Sequence, residues 1–255
     1  MSFVARLALL GATWLLCSGQ ADPILVPEVS QHEVQVRQGF TGTELLLFGA
    51  ILDPAGSRAQ ARYDIVVVLK GPTEAIRLRE KQKLAGIMWV NADSTGFRSA
   101  PSYYAVASSR PIDQLVDDRT AAIFELGLPW LQLSPVGAID PEEQPRFAAG
   151  LVDLRERQGL YQQDDTGVTI SEDVLYQARI YLPSSVTTGR YTAETFAISE
   201  GRVIASATAQ VEVRKTGFSR RIADFAQERS FVYGLIAVAL SIAMGLVAGR
   251  LFKRV

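Results

Sequence analysis

VIASATAQVEV, residues 203–213, decides the fold class of this 255-residue chain. Small or branched apolar residues occupy every second position of the stretch, and more polar residues mostly separate them. Successive side chains of a β-strand point to opposite faces, so this alternation predicts a strand with one buried face. The turn Ser199-Glu200-Gly201 precedes the stretch and predicts a hairpin with residues 190–198.

Further short β-rich runs precede this hairpin. Four apolar residues alternate with polar neighbours in a second predicted strand: Tyr176, Ala178, Ile180 and Leu182. Val34 with Val36, residues 44–52 and residues 63–69 form other runs, separated by glycine- and proline-bearing breaks. Repeated short strands of this kind indicate a mainly β protein, and we predict an immunoglobulin-like antiparallel β-sandwich. The segment Gly189-Arg190-Tyr191 is similar to the start of the tyrosine-bearing strand in such folds.

Two stretches break the β pattern and predict helices. The first, residues 111–127, places five apolar residues near one helical face: Ile112, Leu115, Val116, Ile123 and Leu126. In the second, Asp140-Pro141-Glu142-Glu143 has the pattern of a cap and an acidic first turn, ahead of Phe147, Leu151 and Leu154. We therefore predict a helical insertion at about 111–162, within one domain over 22–215, that covers one end or one face of the sandwich.

The C-terminal stretch FVYGLIAVALSIAMGLVAG, residues 231–249, contains 19 uncharged residues. At about 1.5 Å per residue a helix of this length covers roughly 28 Å, close to the hydrocarbon thickness of a bilayer. We predict a transmembrane helix, with an amphipathic juxtamembrane helix over 216–230 before it and a basic tail over 250–255 after it.

Small residues recur every four positions along the predicted span, at Ala237, Ser241, Gly245 and Gly249. Such a stripe lets helices pack closely in lipid, which would suit a homodimer or docking on another integral membrane protein. The alternative is the ordinary small-residue content of an alanine-rich chain, and both interpretations stay open.

Residues 1–21 have the three parts of an export signal. Arg6 is followed by an apolar stretch over 7–16, and small or polar residues lead to Ala21-Asp22-Pro23. Ten apolar residues are too few to span a bilayer, so we predict cleavage after Ala21 and loss of Cys17 with the peptide. Export of this end leaves the basic tail 250–255 in the cytoplasm, as the positive-inside bias predicts.

The net charge argues against two classes of main partner. Between the predicted signal and the span, the chain keeps all 27 acidic residues but loses four of its 26 bases, which leaves a net charge near −5. This balance argues against nucleic acid or anionic lipid as the main partner.

The side chains available for catalysis are few. The mature chain would offer His32 as its single imidazole and no cysteine, so we expect neither a serine triad, a cysteine dyad nor a zinc site. Acidic residues cluster in two places without the spacing of an EF-hand: Asp140, Glu142 and Glu143, then Asp164, Asp165, Glu172 and Asp173. We interpret both as solvated turns, with oxygen-ligated calcium as the alternative. The prediction is a non-enzymatic protein with no cofactor and no metal.

One segment looks specialised for recognition. GIMWVNADSTGF at 86–97 and APSYYAV at 100–106 combine Trp89, Tyr103 and Tyr104 with Asn91, the single asparagine of the chain. Aromatic rings beside hydrogen-bonding groups suit a surface that binds a ligand or a protein. They equally suit a core tryptophan between two strands with Asn91 in a turn, which we favour for Trp89. The roles of the two tyrosines stay open.

These blocks also carry a family resemblance. They lie between the export signal and the single span, in the order FTG at 40–42, LFGA at 47–50, GIMWVNADS at 86–94, APSYYAV at 100–106 and LPSSVTTGRY at 182–191. Together they resemble the alphaproteobacterial putative transmembrane protein family over nearly the whole chain, and GIMWVN is the most specific block. The resemblance implies a bacterial inner-membrane protein with a periplasmic domain, and it brings no known activity or catalytic residue. It also implies sulfite-exporter-like permeases as gene neighbours of many relatives.

Two functional hypotheses follow. The first is an accessory or assembly subunit of a membrane transporter, anchored in the bilayer by the C-terminal span. The second is a periplasmic ligand-binding or sensing module that uses Trp89, Asn91, Tyr103 and Tyr104.

Overall fold

A computed structural model describes residues 23–36, 41–52, 63–84, 87–137, 140, 143–172, 174–215, 226 and 229–252. The predicted signal segment 1–21, most of the predicted juxtamembrane helix 216–230 and the tail residues 253–255 lie outside the described residues. The described part is mainly β with a C-terminal apolar helix, as predicted. Its strands form two sheets and a two-stranded ribbon.

Twelve strands and four α-helices make up the described fold. The strands are β1 (Ile24–Val29), β2 (Glu33–Val36), β3 (Gly42–Leu52), β4 (Asp64–Lys70), β5 (Thr73–Leu84), β6 (Met88–Pro101), β7 (Tyr104–Ser108), β8 (Tyr161–Asp164), β9 (Val168–Ser171), β10 (Leu175–Pro183), β11 (Gly189–Ser199) and β12 (Arg202–Lys215). The helices are α1 (Ile112–Leu115), α2 (Asp118–Phe124), α3 (Gln144–Arg157) and α4 (Ser230–Phe252), with a 3-10 turn at Leu128–Trp130.

The two sheets share one hydrophobic core. One sheet has the strand order β1-β3-β10-β9 and the other the order β2-β12-β11-β4-β7-β8. Pairing is antiparallel except at the two edges of the larger sheet, where β2–β12 and β7–β8 are parallel. The predicted alternation in β10 is confirmed, because Tyr176, Ala178, Ile180 and Leu182 are all buried in this core.

Strand β4 is buried on both faces, which explains its continuous apolar run from Ile65 to Leu69. The short helices α1 and α2 contribute to the same core, and the Phe124 ring packs edge-on against Phe196 of β11 with centroids 5.5 Å apart. Of the predicted helical insertion, α1 and α2 therefore pack on the larger sheet, with Phe124 against its outer face.

The predicted hairpin is confirmed between β11 and β12. Ser199 pairs with Arg202, and the two residues between them adopt positive φ angles, 49° at Glu200 and 77° at Gly201. Near the other end of β11 the Tyr191 hydroxyl donates to the Thr187 carbonyl at 2.7 Å. That bond is typical of a tyrosine corner and favours the immunoglobulin-like topology, which stays a prediction.

The prediction of one helical face over 111–127 is wrong in part. Val116 is extended (φ −143°), and the Asp117 side chain accepts a hydrogen bond from the Thr120 amide, which starts a new helix. The change of direction leaves Ile123 61% exposed, whereas the other four apolar residues of the predicted face are buried.

Helix α3 begins later than its predicted cap. It starts at Gln144, with Pro145 in its first turn, and the Asp140 backbone carbonyl accepts from the amides of Glu143 and Gln144. Phe147 and Leu151 are buried as predicted, whereas Leu154 is exposed. Pro141 and Glu142 lie outside the described residues.

The predicted span falls within α4. Residues Ser230–Arg250 are, by length and composition, the one described helix that could cross a membrane.

Candidate functional site

The structure separates the four residues predicted to form a recognition surface. Tyr103 and Tyr104 lie in the core with no exposed surface, whereas Trp89 is 63% exposed and Asn91 is also exposed. The interpretation of Trp89 as a core tryptophan is therefore wrong. Asn91 is not in a turn either, because it pairs with Lys81 beside a break in register.

The two tyrosines are hydrogen-bonded parts of the core. The Tyr103 hydroxyl donates to the Tyr181 carbonyl at 2.8 Å. The Tyr104 hydroxyl donates to the Glu125 carbonyl and accepts from the Gly127 amide at 3.2 Å. Burial raises the pKa of both hydroxyls well above the usual range for tyrosine. The sensing hypothesis needed all four side chains on one concave surface, and the structure does not bring them together.

Trp89 and Asn91 lie on a ribbon that continues the larger sheet. Lys70 pairs with Tyr104 at the end of the β4–β7 ladder, and Thr73 pairs with Pro101 at the start of the β5–β6 ladder. Two backbone hydrogen bonds bridge the interval, from Gly71 to Tyr103 and from Ser102 to Pro72, both 2.8 Å long. The ribbon of β5 and β6 is thus an unbroken extension of two sheet strands beyond the end of the sheet.

The ribbon leaves the sandwich at the end that leads to α4. Strands β4 and β12 both pair antiparallel with β11, so they run in the same direction. Lys70, the last residue of β4, is level with Gln210 through their shared partner Thr192. Strand β12 continues in that direction to Lys215, after which the chain proceeds to the apolar helix.

The base of the ribbon is packed against α3. A second hydrophobic cluster joins Phe97 and Ala100 of β6 to Leu133, Phe147 and Leu151. Ion pairs join Glu74 to Arg155 and Glu80 to Arg146, the latter at 3.2 Å. The base is therefore fixed to the domain by apolar and charged contacts.

The far end of the ribbon is exposed and apolar. We name it the ribbon tip, and it consists of Leu84, Ile87, Met88 and Trp89. These side chains are between 57% and 89% exposed. The Lys83 ammonium lies 5.2 Å from the centroid of the Trp89 ring, within the range of a cation–π contact.

A second exposed apolar surface lies on the outer face of the smaller sheet. This outer patch consists of Ile24, Val26, Phe48, Leu52 and Leu175, which are between 38% and 56% exposed. Ile24 pairs directly with Leu52, while Val26 and Leu175 flank Ala50 on its two sides. Phe48 and Leu52 lie two residues to either side of Ala50 on β3, so the five side chains share one face of three neighbouring strands around Ala50.

Sequence reasoning missed the outer patch, although a signal for it exists. The run LLLFGAIL at 45–52 is apolar at odd and even positions alike. Only the odd positions of this run, from Leu45 to Ile51, face the core. At the even positions Phe48 and Leu52 are exposed, whereas Leu46 and Ala50 are half-buried.

A polar cleft of about 410 Å³ opens beside the ribbon base, lined in part by Arg77, Asp93, Thr95 and Glu143. Its acidic groups are largely balanced, because the Arg146 guanidinium lies 3.8 Å from Asp93 and 3.4 Å from Glu143. Over the described ranges, no group of three or more histidine, cysteine or acidic residues is arranged to hold a metal ion. Asp164, from the second acidic cluster, accepts hydrogen bonds from Thr166 within its own turn.

Comparison with known proteins places the β domain and the C-terminal apolar helix in one family match. The model of a family described as "Putative transmembrane protein (Alph_Pro_TM)" matches residues 24–254. The match thus includes the sandwich, the ribbon and the apolar helix together. No curated protein matches the chain.

Proposed function

This chain belongs to the Alph_Pro_TM family of putative transmembrane proteins, and from that premise we propose that it is a non-enzymatic accessory or assembly subunit of a membrane transporter. Helix α4 anchors the protein in a membrane. In the proposal that membrane is the bacterial inner membrane, with the sandwich in the periplasm and the tail in the cytoplasm. A sulfite-exporter-like permease is the class of partner that the family resemblance suggests.

The outer patch is the observation that carries this proposal. Five large apolar side chains lie side by side on a regular sheet face, outside the core of the sandwich. A contiguous exposed apolar surface typically marks a site that binds a protein or a membrane, and we assign the outer patch to a protein partner. Full burial of a side chain such as Leu or Phe contributes about 1.5–3 kcal/mol, so even partial burial of five such residues would stabilise a complex.

Helix α4 supports the same proposal within the membrane. Its small-residue stripe consists of Ala237, Ser241, Gly245 and Gly249. Ser241 lies on the same stripe, and its hydroxyl donates to the Ala237 carbonyl at 3.0 Å, so it needs no partner from another helix. A helix of a transporter, or a second copy of α4, could approach this face closely.

The test is cross-linking in cells followed by affinity capture of the tagged full-length protein and quantitative mass spectrometry. We expect an integral membrane protein to be captured by the wild type and lost from Leu52→Glu, because the new carboxylate would be desolvated at the interface. The matched control is Ile123→Glu, which changes an exposed apolar residue of α2 outside the patch. It should capture the partner as the wild type does.

Two results would count against the proposal. The first is a wild type that captures no membrane protein reproducibly. The second is equal capture by Leu52→Glu and Ile123→Glu, which would show that the outer patch does not bind the partner. A version that ends at Arg214 separates the contribution of α4 from that of the sandwich.

A further inference from the structure

We propose that the ribbon tip inserts into the interfacial layer of the bilayer that α4 spans, as a second and peripheral membrane attachment. The ligand is phospholipid, bound through acyl chains and anionic headgroups. This inference rests on the membrane anchor alone and does not depend on the transporter role.

The position of the ribbon carries the first step. The ribbon extends the β4–β7 ladder past one end of the larger sheet. Strand β12 ends at the same end of the sheet, and the chain continues from there to α4. From Thr73 to Leu84 the ribbon covers about 36 Å at roughly 3.3 Å per residue. The 15 residue steps from Lys215 to Ser230 can extend at most about 50 Å. The tip and the chain toward α4 therefore leave the same end of the domain, and the length of the linking segment permits the span to begin at the level of the tip.

The composition of the tip carries the second step. Trp89 combines a large apolar ring with an indole N–H, and tryptophan is enriched where a bilayer meets water. Leu84, Ile87 and Met88 add exposed apolar surface at the far end of the ribbon. The β5–β6 backbone is paired from Leu84 with Met88 back to the sheet, so a shallow insertion would leave few backbone groups without partners.

The charges behind the tip carry the third step. Lys81 and Lys83 lie within three residues of Leu84, on the strand that leads to it. The nearest acidic groups along the ribbon, Glu80 and Asp93, both lie within 4 Å of Arg146. The negative net charge of the whole domain argues against anionic lipid as its main partner. Electrostatic attraction, however, decays over about 8 Å at physiological ionic strength. The two local lysines, and not the net charge of the domain, therefore determine how strongly the tip attracts anionic headgroups.

The test uses the full-length chain reconstituted in phosphatidylcholine–phosphatidylglycerol vesicles, with or without bromine atoms on the acyl chains. The chain has three tryptophans, so the Trp89 signal is taken as the difference between the wild type and Trp89→Phe. We expect brominated lipid to quench most of the Trp89 emission and aqueous iodide to quench little of it. Emission that iodide quenches and brominated lipid does not would overturn the proposal.

Variants separate the tip from the anchor. The double variant Ile87→Ser with Met88→Ser should lose most of the lipid quenching of Trp89, whereas Ile123→Ser should keep it. Lys81→Gln with Lys83→Gln should lose quenching in anionic vesicles and change little in phosphatidylcholine alone. Flotation of every variant with the vesicles shows that α4 still anchors the chain.

Three further outcomes would overturn the inference. One is unchanged quenching in the serine double variant, and another is unchanged quenching of the lysine variant in anionic vesicles. The third is protection of Trp89 from both brominated lipid and iodide in native membranes, which would identify a protein as the occupant of the tip. None of the three depends on which partner the outer patch binds.

Discussion

Tyr104 shows at the scale of one residue how the aromatic segment serves the core. Its hydroxyl binds the Glu125 carbonyl and the Gly127 amide, and these groups belong to the turn that ends α2. The same pattern recurs at Tyr161, whose hydroxyl donates to the Pro101 carbonyl at 2.8 Å. A tyrosine can satisfy its hydroxyl in a core as well as at a surface, so the residue type alone could not assign Tyr103 and Tyr104 to a binding site.

We predict that Tyr104→Phe lowers the free energy of unfolding by about 1–3 kcal/mol. The substitution keeps the ring but leaves the Gly127 amide and the Glu125 carbonyl buried without their partner. Chemical denaturation of the full-length protein in detergent, followed by circular dichroism, measures the loss. Tyr181→Phe is the control, because Tyr181 is half-exposed and its hydroxyl donates to the Thr41 carbonyl at the surface, where water can replace it. A loss no larger than that of the control would contradict the prediction.

At the scale of elements, local periodicity predicted strands better than helices. The β10 alternation succeeded because a strand between two neighbours keeps one face toward the core along its whole length. The helical pattern over 111–127 failed because Asp117 caps a second helix inside it. Apolar spacing continues through such a break, whereas the direction of the backbone does not.

The turn between β11 and β12 has a residue that fits it poorly. Two-residue hairpin turns with positive φ at both positions favour Asn-Gly, whereas this chain has Glu200-Gly201. We expect Glu200→Asn to raise the free energy of unfolding by up to about 1 kcal/mol, measured by denaturation as above. Glu125→Asn is the contrasting case. Glu125 also has positive φ but forms an ion pair with Lys70 at 2.8 Å, so its replacement should give no gain. A loss of stability in Glu200→Asn would contradict the argument.

The small-residue stripe of α4 makes a prediction about assembly in the membrane. We expect Gly245→Leu to reduce cross-linking of α4 to another span, because the new side chain would hold the helices apart. Ala243→Leu adds similar bulk on the opposite face of α4 and should leave cross-linking unchanged. The measurement is the yield of cross-linked complex in membranes, and equal yields for the two variants would favour ordinary small-residue content.

At the scale of the whole molecule, buried tyrosines predict sensitivity to alkaline pH. Burial raises the pKa of five tyrosines: Tyr103, Tyr104, Tyr161, Tyr176 and Tyr191. The pKa of Tyr191 rises to about 12. The unfolded chain releases these protons near pH 10, whereas the folded chain retains them. Stability is therefore fully present below pH 10 and is lost as the pH rises toward the folded pKa values.

Lys70 also makes the folded chain less stable as the pH rises through the alkaline range. Its burial opposes the charged form, but the hydrogen bond to Glu125 and the charges of Glu194 and Glu125 outweigh that effect and raise its pKa.

We expect stability to fall above pH 10 by about 1.4 kcal/mol per pH unit for each tyrosine that stays protonated. Denaturation at several pH values, together with tyrosinate absorbance, provides the measurement. Ionisation of all tyrosines near pH 10 in a chain that stays folded would contradict it.

The orientation of the chain is the second prediction at this scale. Cys17 is the single cysteine and leaves with the predicted signal, so variants with one introduced cysteine report position without interference. A membrane-impermeant maleimide should label Gln114→Cys in cells with a permeabilised outer membrane, and Val255→Cys only after lysis. The reverse pattern would place the sandwich in the cytoplasm.

The sequence by itself determined the mainly β class, the β11–β12 hairpin and the C-terminal span, because each depends only on the periodicity or the length of one local stretch. The tertiary structure decided which apolar side chains stay outside the core. Trp89 is exposed because the β4–β7 ladder continues past the sheet, and Leu52 is exposed because β3 has a core on one side only. Both outcomes depend on which strands pair and where a sheet ends, and those contacts join residues far apart in the chain.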